Sequence, residues 1–133
     1  MSTPATVHDL ASLAETMPTL DLSRRPTHEE AMASLRVLDT LNGCRLQLAR
    51  FSGQPPWERH VQDELIYVLD GRVEVRLLGE SEQRVDLGPG SLFVVPAATW
   101  HRSNASPHVT VLAGTPIDGN EHSTAEDPRH PDT

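Results

Sequence analysis

Four side chains with metal-ligand or acid–base character stand in two short stretches of this 133-residue chain. Glu58, His60 and Glu64 fall within Trp57-Glu58-Arg59-His60-Val61-Gln62-Asp63-Glu64, directly before the apolar run Leu65 to Leu69. His101 follows a second apolar run, Leu92 to Val95, and the loop Pro96 to Trp100. Two imidazoles with one or two carboxylates suit a divalent metal of intermediate character: Fe(II), Mn(II), Zn(II) or Ni(II). Two histidines and one carboxylate leave coordination positions open for water, dioxygen or a chelating substrate. The same residues could instead form a buried hydrogen-bonded cluster, and spacing alone does not separate the two.

For the four to meet, a sheet must roll up. Glu58 and His60 are two apart, so on a strand they share a face. Gln62-Asp63 reads as a bulge or bend that re-aims Glu64, with Asp63 as the competing ligand. From residue 36 the apolar pattern has period two. Asn42-Gly43 marks a hairpin, and Asp70-Gly71 reads as a second one, joining Leu65–Leu69 to the half-solvated run Val73, Val75, Leu77. Arg84 to Leu87, a buried Leu92 to Val95, His101 to Ala105 and Val109 to Ala113 complete seven to nine short strands, with Ser106-Pro107 breaking the last two. Such spacing predicts an antiparallel sandwich or barrel.

Upstream, Val7, Leu10, Leu13, Ala14 and Met17 have roughly helical spacing over residues 5–17, and Pro18 ends the run. Residues 18–26 read as a connector, and Thr27-His28-Glu29-Glu30 as a capping box opening one or two helical turns. The expected organisation is a helical or extended segment over 1–35, a barrel over 36–114 and a polar tail over 115–133. That tail is either mobile or an arm laid over the body.

Composition narrows the partners. A net charge of −8 argues against nucleic acid or an anionic membrane, both of which need a basic face. Cys44 is the only cysteine, so neither an internal disulfide nor a thiolate zinc cluster is available; with Leu46 and Leu48 following it, it reads as a small buried hydrophobe. No secretory signal and no apolar stretch of about 18 residues is found, so a cytoplasmic location is the expectation.

The two stretches also resemble a known family. His60, three residues, Glu64, six residues, Gly71 is similar to the latter part of the first motif of the cupin superfamily. Gly90, Pro96 and His101 are spaced as in its second motif. The resemblance covers residues 53 to about 105. It implies an all-β, cupin-like double-stranded β-helix (jelly-roll) barrel carrying one metal site in its mouth, commonly as a homodimer. Three positions depart from the pattern. Glu58 replaces the first histidine of the usual His-x-His, Ala98 a usual glycine, and Ala105 a usual asparagine, with Asn104 beside it. The metal set is then Glu58, His60, Glu64 and His101, with Glu58 either a ligand or a base standing back from the ion.

The resulting expectation is a metal-dependent enzyme acting on a small molecule, of dioxygenase, isomerase or lyase type. The alternative is a non-catalytic module that binds or senses a metabolite or metal; fold alone does not choose between them. Glu58 and Tyr67 are the catalytic candidates. Tyr67 can donate a proton if it points inward and merely packs if it points outward. Trp57 and Trp100 alternate away from the ligand face and are expected to pack. Arg50 and Arg59 are candidates to hold an anionic substrate. His8, His28, His108 and His130 are expected on the surface, and His122 matters only if the tail folds back over the mouth.

Overall fold

A computed structural model describes residues 4–130; the ends of the first and last expected segments lie outside the described residues. Two short helices, α1 (Leu10–Glu15) and α2 (His28–Ala33), flank the two-residue strand β1 (Leu20–Asp21). There follow β2 (Leu35–Leu41), β3 (Cys44–Gly53), β4 (Trp57–His60), β5 (Glu64–Leu78), β6 (Glu82–Leu87), β7 (Leu92–Val95), β8 (Trp100–Pro116) and β9 (Asn120–Ser123). Helix α2 opens with the expected capping box: Thr27 accepts from the Glu30 amide while Glu30 accepts from the Thr27 amide. Helix α1 is shorter than the periodicity implied, and the supposed connector contains β1, which runs parallel to β3 through Leu20 and Phe51.

Strand β8 is the hub. One edge pairs antiparallel with β5 from Trp100 to Gly114. Its other edge pairs with β3 between Ala105 and Pro116, and with β4 at His101. The far edge of β5 takes β7 near its start and β6 near its end. Asn42 and Gly43, both at positive φ (49° and 77°), close the β2–β3 hairpin as expected.

Asp70-Gly71 does not turn the chain back. It lies within one fifteen-residue strand, where β5 carries one extra residue against β8 between Val68 and Asp70. A single inserted residue reverses side-chain parity. Glu64, Ile66 and Val68 face inward before it and Val73, Val75 and Leu77 after it, so one bent strand serves both halves of the core. Gly71 (φ 79°) crosses the bend with no room for a side chain: a Cβ there would lie 2.1 Å from the His108 carbonyl oxygen. Ser106-Pro107 likewise sits inside a continuous strand, as a register irregularity of β8.

The interior is filled by Ile66, Val68, Val73, Val75, Leu77, and residues of β6, β7 and β8 packed on them. Strand β7 is less buried than its composition implied. Val95 is in the core, but Leu92 (63 % exposed) and Val94 point outward from a strand that, among the described residues, pairs with β5 alone. Ala105, in place of the usual asparagine, is a core residue. Ala98 adopts φ 59°, a left-handed conformation that costs an L-residue ~1–2 kcal/mol and accounts for glycine being usual there.

Candidate metal centre

Strands β8, β4 and β9 lie side by side, and their register assembles the centre. Glu58 on β4 sits opposite His101 on β8 and opposite His122 on β9; His60 sits opposite Asn120. Glu58 and His60 share one face of β4, as strand alternation requires, and Trp57 and Arg59 take the other. On that far side Trp57 packs with Leu78 and Trp100, backing the ligand-bearing strand with a rigid apolar cluster. The guanidinium of Arg59 lies 4.6 Å from the Trp100 ring. Both tryptophans therefore pack rather than face the cavity.

The bend at residues 61–63 brings Glu64 onto the same spot. The alternative ligand, Asp63, is directed elsewhere: its carboxylate accepts from the Ala97 amide at 2.8 Å, while the Ala98 amide donates to the His60 carbonyl at 2.7 Å. These two bonds tie the loop before His101 to the bend between His60 and Glu64.

Glu58, His60, Glu64 and His101 each offer a ligand atom, and these atoms all lie within 4.8 Å of one another. His60, Glu64 and His101 are 4 %, 6 % and 4 % exposed; the Glu58 side chain is partly exposed. His101 Nε2 lies 3.1 Å from Glu64 Oε1. His60 Nε2 lies 3.3 Å from a carboxylate oxygen of both Glu58 and Glu64. It is nonetheless a buried nitrogen without an aligned hydrogen bond, held near the acids by charge rather than by a directed bond.

The outer nitrogens explain how the rings are aimed. His60 Nδ1 is 2.8 Å from Asn120 Oδ1 and His101 Nδ1 is 3.1 Å from the Thr99 carbonyl, so each ring has an acceptor on its Nδ1 side. An Nδ1–H donated there leaves both Nε2 lone pairs turned toward the carboxylates, the usual arrangement behind a metal-ligating histidine. Glu64 is oriented as well: Thr115 Oγ1 donates to its Oε2 at 2.7 Å. An unpaired buried imidazole nitrogen, two fixed rings and two carboxylates on one point fit a divalent transition ion, with His60, Glu64 and His101 as residues that would hold it and Glu58 as a fourth ligand or a base beside it.

Without an ion the cluster balances charge by protons. Burial disfavours the His60 imidazolium, but the Glu58 and Glu64 carboxylates outweigh it and hold the ring's pKa up, at about 10. Burial alone would raise Glu64, yet its hydrogen bond with His101 and the nearness of His60 bring it down to about 2.

The centre opens on a cavity of about 580 Å³ inside the barrel, walled by Ile66, Val73, Val111, Ala113 and Phe51 among others. Tyr67 is not in it. On β5 it has the opposite parity to Glu64 and Ile66, and it lines a separate cleft beneath α1 with Ala11, Ala14 and Leu69. The expectation of a catalytic Tyr67 at this centre is therefore corrected: the residue faces outward. Arg59 is bonded to Glu121, and Arg50, which borders both the cavity and the cleft beneath α1, donates to Thr19.

Sequence reasoning gave His122 only a conditional role and passed over Asn120 and Thr115. The segment after residue 115 folds back as β9, walling the centre with Asn120 and His122; His122 Nε2 is 3.9 Å from Glu58 Oε1. No local signal marked Asn120, because its partner is 60 residues away.

A family model described as "Cupin domain" matches residues 48–114. Among solved structures, the hydroquinone 1,2-dioxygenase PnpCD, in complex with Cd²⁺ and 4-hydroxybenzonitrile, is similar at 25 % identity with a TM-score of 0.53. That match covers 62 % of this chain and 63 % of the dioxygenase chain, so the chain spans less than two thirds of that relative. A cupin-2 domain protein from Shewanella frigidimarina NCIMB 400 is 22 % identical over 67 % of this chain and 79 % of its own, with a TM-score of 0.54. Protein NMB1881 from Neisseria meningitidis reaches a TM-score of 0.63 at 14 % identity, over 89 % of this chain and all of its own. The latter two likenesses establish the fold alone. No curated protein matches the chain. No helix among the described residues is long and apolar enough to cross a membrane.

Proposed function

This chain belongs to the cupin domain family, and from that premise we propose that it is a metal-dependent enzyme acting on a small organic molecule. The dioxygenase likeness favours oxygenase chemistry over the isomerase and lyase alternatives. The observation that carries the reading is the convergence of four ligand atoms around the unpaired, buried Nε2 of His60.

In this reading His60, Glu64 and His101 hold Fe(II) or Mn(II), with Zn(II) and Ni(II) as the other candidate ions. A bound divalent ion supplies Lewis acidity and open positions for a chelating substrate. The protein does the rest. Asn120 and Thr99 keep the two rings in register, Thr115 holds one oxygen of Glu64, and the apolar wall excludes water from the substrate's body. Glu58, nearest the open end, is placed to accept a proton from a bound substrate as general base. Its carboxylate is partly solvated, which leaves it free to deliver that proton to water. We further propose a homodimer, supported by the outward-facing Leu92 and Val94 on the unpaired edge of β7; light scattering gives the mass directly.

The experiment is elemental analysis of protein purified without chelators, followed by thermal denaturation with added Fe, Mn, Zn or Ni. Bound metal near one equivalent and a raised melting temperature are expected. No metal and no stabilisation by any of the four would sink the reading. Oxygen uptake and product analysis then separate turnover from simple binding: stabilisation by a ligand without product would turn the assignment to a sensing module.

A further inference from the structure

Arg45 stands out once the inner faces of β5, β8 and β3 are followed sideways. Thr115 sits opposite Arg45 in the β3–β8 register and donates to the Glu64 carboxylate on its other side, and in the next inward row Ala113 lies between Ile66 and Gln47. Directly opposed residues on paired strands sit about 5 Å apart. Arg45 is therefore one strand beyond the threonine that bonds the Glu64 carboxylate, at the same rim of the cavity. Below it, Gln47 carries a buried side-chain oxygen with no hydrogen-bond partner.

The charge balance of the cavity is unlike that of the rest of the molecule. The chain is acidic, at −8; Arg24, Arg59, Arg76, Arg84 and Arg129 pair with carboxylates, and Arg25, Arg36 and Arg72, without an ion pair among the described residues, do not line the cavity. The cavity wall contains just two acids, Glu58 and Glu64, both within the metal cluster. Of the three arginines at its wall, Arg50 donates to Thr19 and Arg102 to the Pro55 carbonyl. Arg45, exposed at the rim of the cavity, has no hydrogen bond or ion pair among the described residues. An unpaired guanidinium beside a site whose acids are already engaged attracts an anion, and its planar fork suits a carboxylate.

We propose that the substrate is a small organic carboxylate with an apolar body, and that Arg45 is the residue selecting its charge. This rests on the metal-centre reading for the position of the reacting end. The apolar body lies along Ile66, Ala113 and Val111, the carboxylate meets Arg45, and the Gln47 oxygen accepts from a hydroxyl or amino group on the substrate.

The test compares matched probes differing in charge: benzoate against benzamide, and butyrate against butyramide. Each is titrated calorimetrically into Mn(II)-loaded wild type, Arg45→Gln and Arg45→Lys, with metal content measured in every preparation. In at least one pair the wild type should prefer the acid by about tenfold or more, the scale of one charge-assisted bond. Arg45→Gln should reduce that ratio to near unity with metal content and melting temperature unchanged, and Arg45→Lys should retain part of it. No preference in either pair, or a preference that survives Arg45→Gln, overturns the inference while leaving the metal reading intact. If the wild type takes up no metal, the same titrations are run on the metal-free protein. An Arg45-dependent preference there supports the anion site and removes the metal reading; its absence overturns both.

Discussion

His60 Nδ1 and Asn120 Oδ1 stand 2.8 Å apart, although 60 residues separate them in the chain. The asparagine is itself held, its amide donating to the Pro116 carbonyl at 2.8 Å, so the ring of His60 is oriented by a strand beyond the family match. Asn120→Ala should lower metal affinity about 10–100-fold, the usual cost of losing such a partner, while Asn120→Asp should keep most of it. Competition with a chelator of known affinity measures both.

The exposure of Glu58 separates it from the three buried members of the cluster. Glu58→Gln is expected to retain near-stoichiometric metal and to lose turnover. Glu64→Gln and His101→Ala should each lose the metal itself. Elemental analysis of the three variants side by side decides the matter; metal loss in Glu58→Gln would make this residue an essential ligand instead.

In metal-free protein the cluster makes stability depend on pH from both sides. His60 is raised from 6.5 to about 10, so its contribution is complete below pH 6.5 and is lost as pH climbs through 10. Glu64 is lowered from 4.5 to about 2, so its contribution is complete above pH 4.5 and is lost as pH falls toward 2. The chelator-treated protein should melt highest between those limits, by several degrees over pH 9–10, at about 4 °C per kcal/mol for a chain between the 100- and 150-residue classes. A bound ion takes the place of the proton, so the metal-loaded protein should show a flatter alkaline limb.

Two backbone positions predict opposite signs. Gly71→Ala places a methyl group against the His108 carbonyl at positive φ, and should destabilise by more than ~1 kcal/mol. Ala98→Gly relieves a left-handed alanine and should stabilise by about 1 kcal/mol. Urea unfolding of both variants gives the two values on one scale.

Much of this was legible along the chain because it is local. Period-two alternation, the Asn42-Gly43 turn, the Thr27–Glu30 capping box and the ligand spacing from Glu58 to Glu64 depend on neighbours within a few residues. The resemblance carried by His60, Glu64, Gly71, Gly90, Pro96 and His101 then anticipated the barrel and its centre. Asp70-Gly71 misled because the same dipeptide serves a hairpin or a bulge; which one forms depends on whether β8 is available to pair across it. Tyr67 could not be placed for a related reason. Its direction follows from parity, and parity is defined only once the register against β8 is known.

What the sequence by itself determined is the set of chemical groups, their strand-level alternation and the family they belong to. Tertiary structure alone decided which strands became neighbours: β9 beside β4, Thr115 beside Glu64, Arg45 beside Thr115. Those pairings are long-range, each set by the closure of the whole barrel rather than by any segment's own propensity, and they are what turns four ligand-type residues into an oriented site with a charged rim.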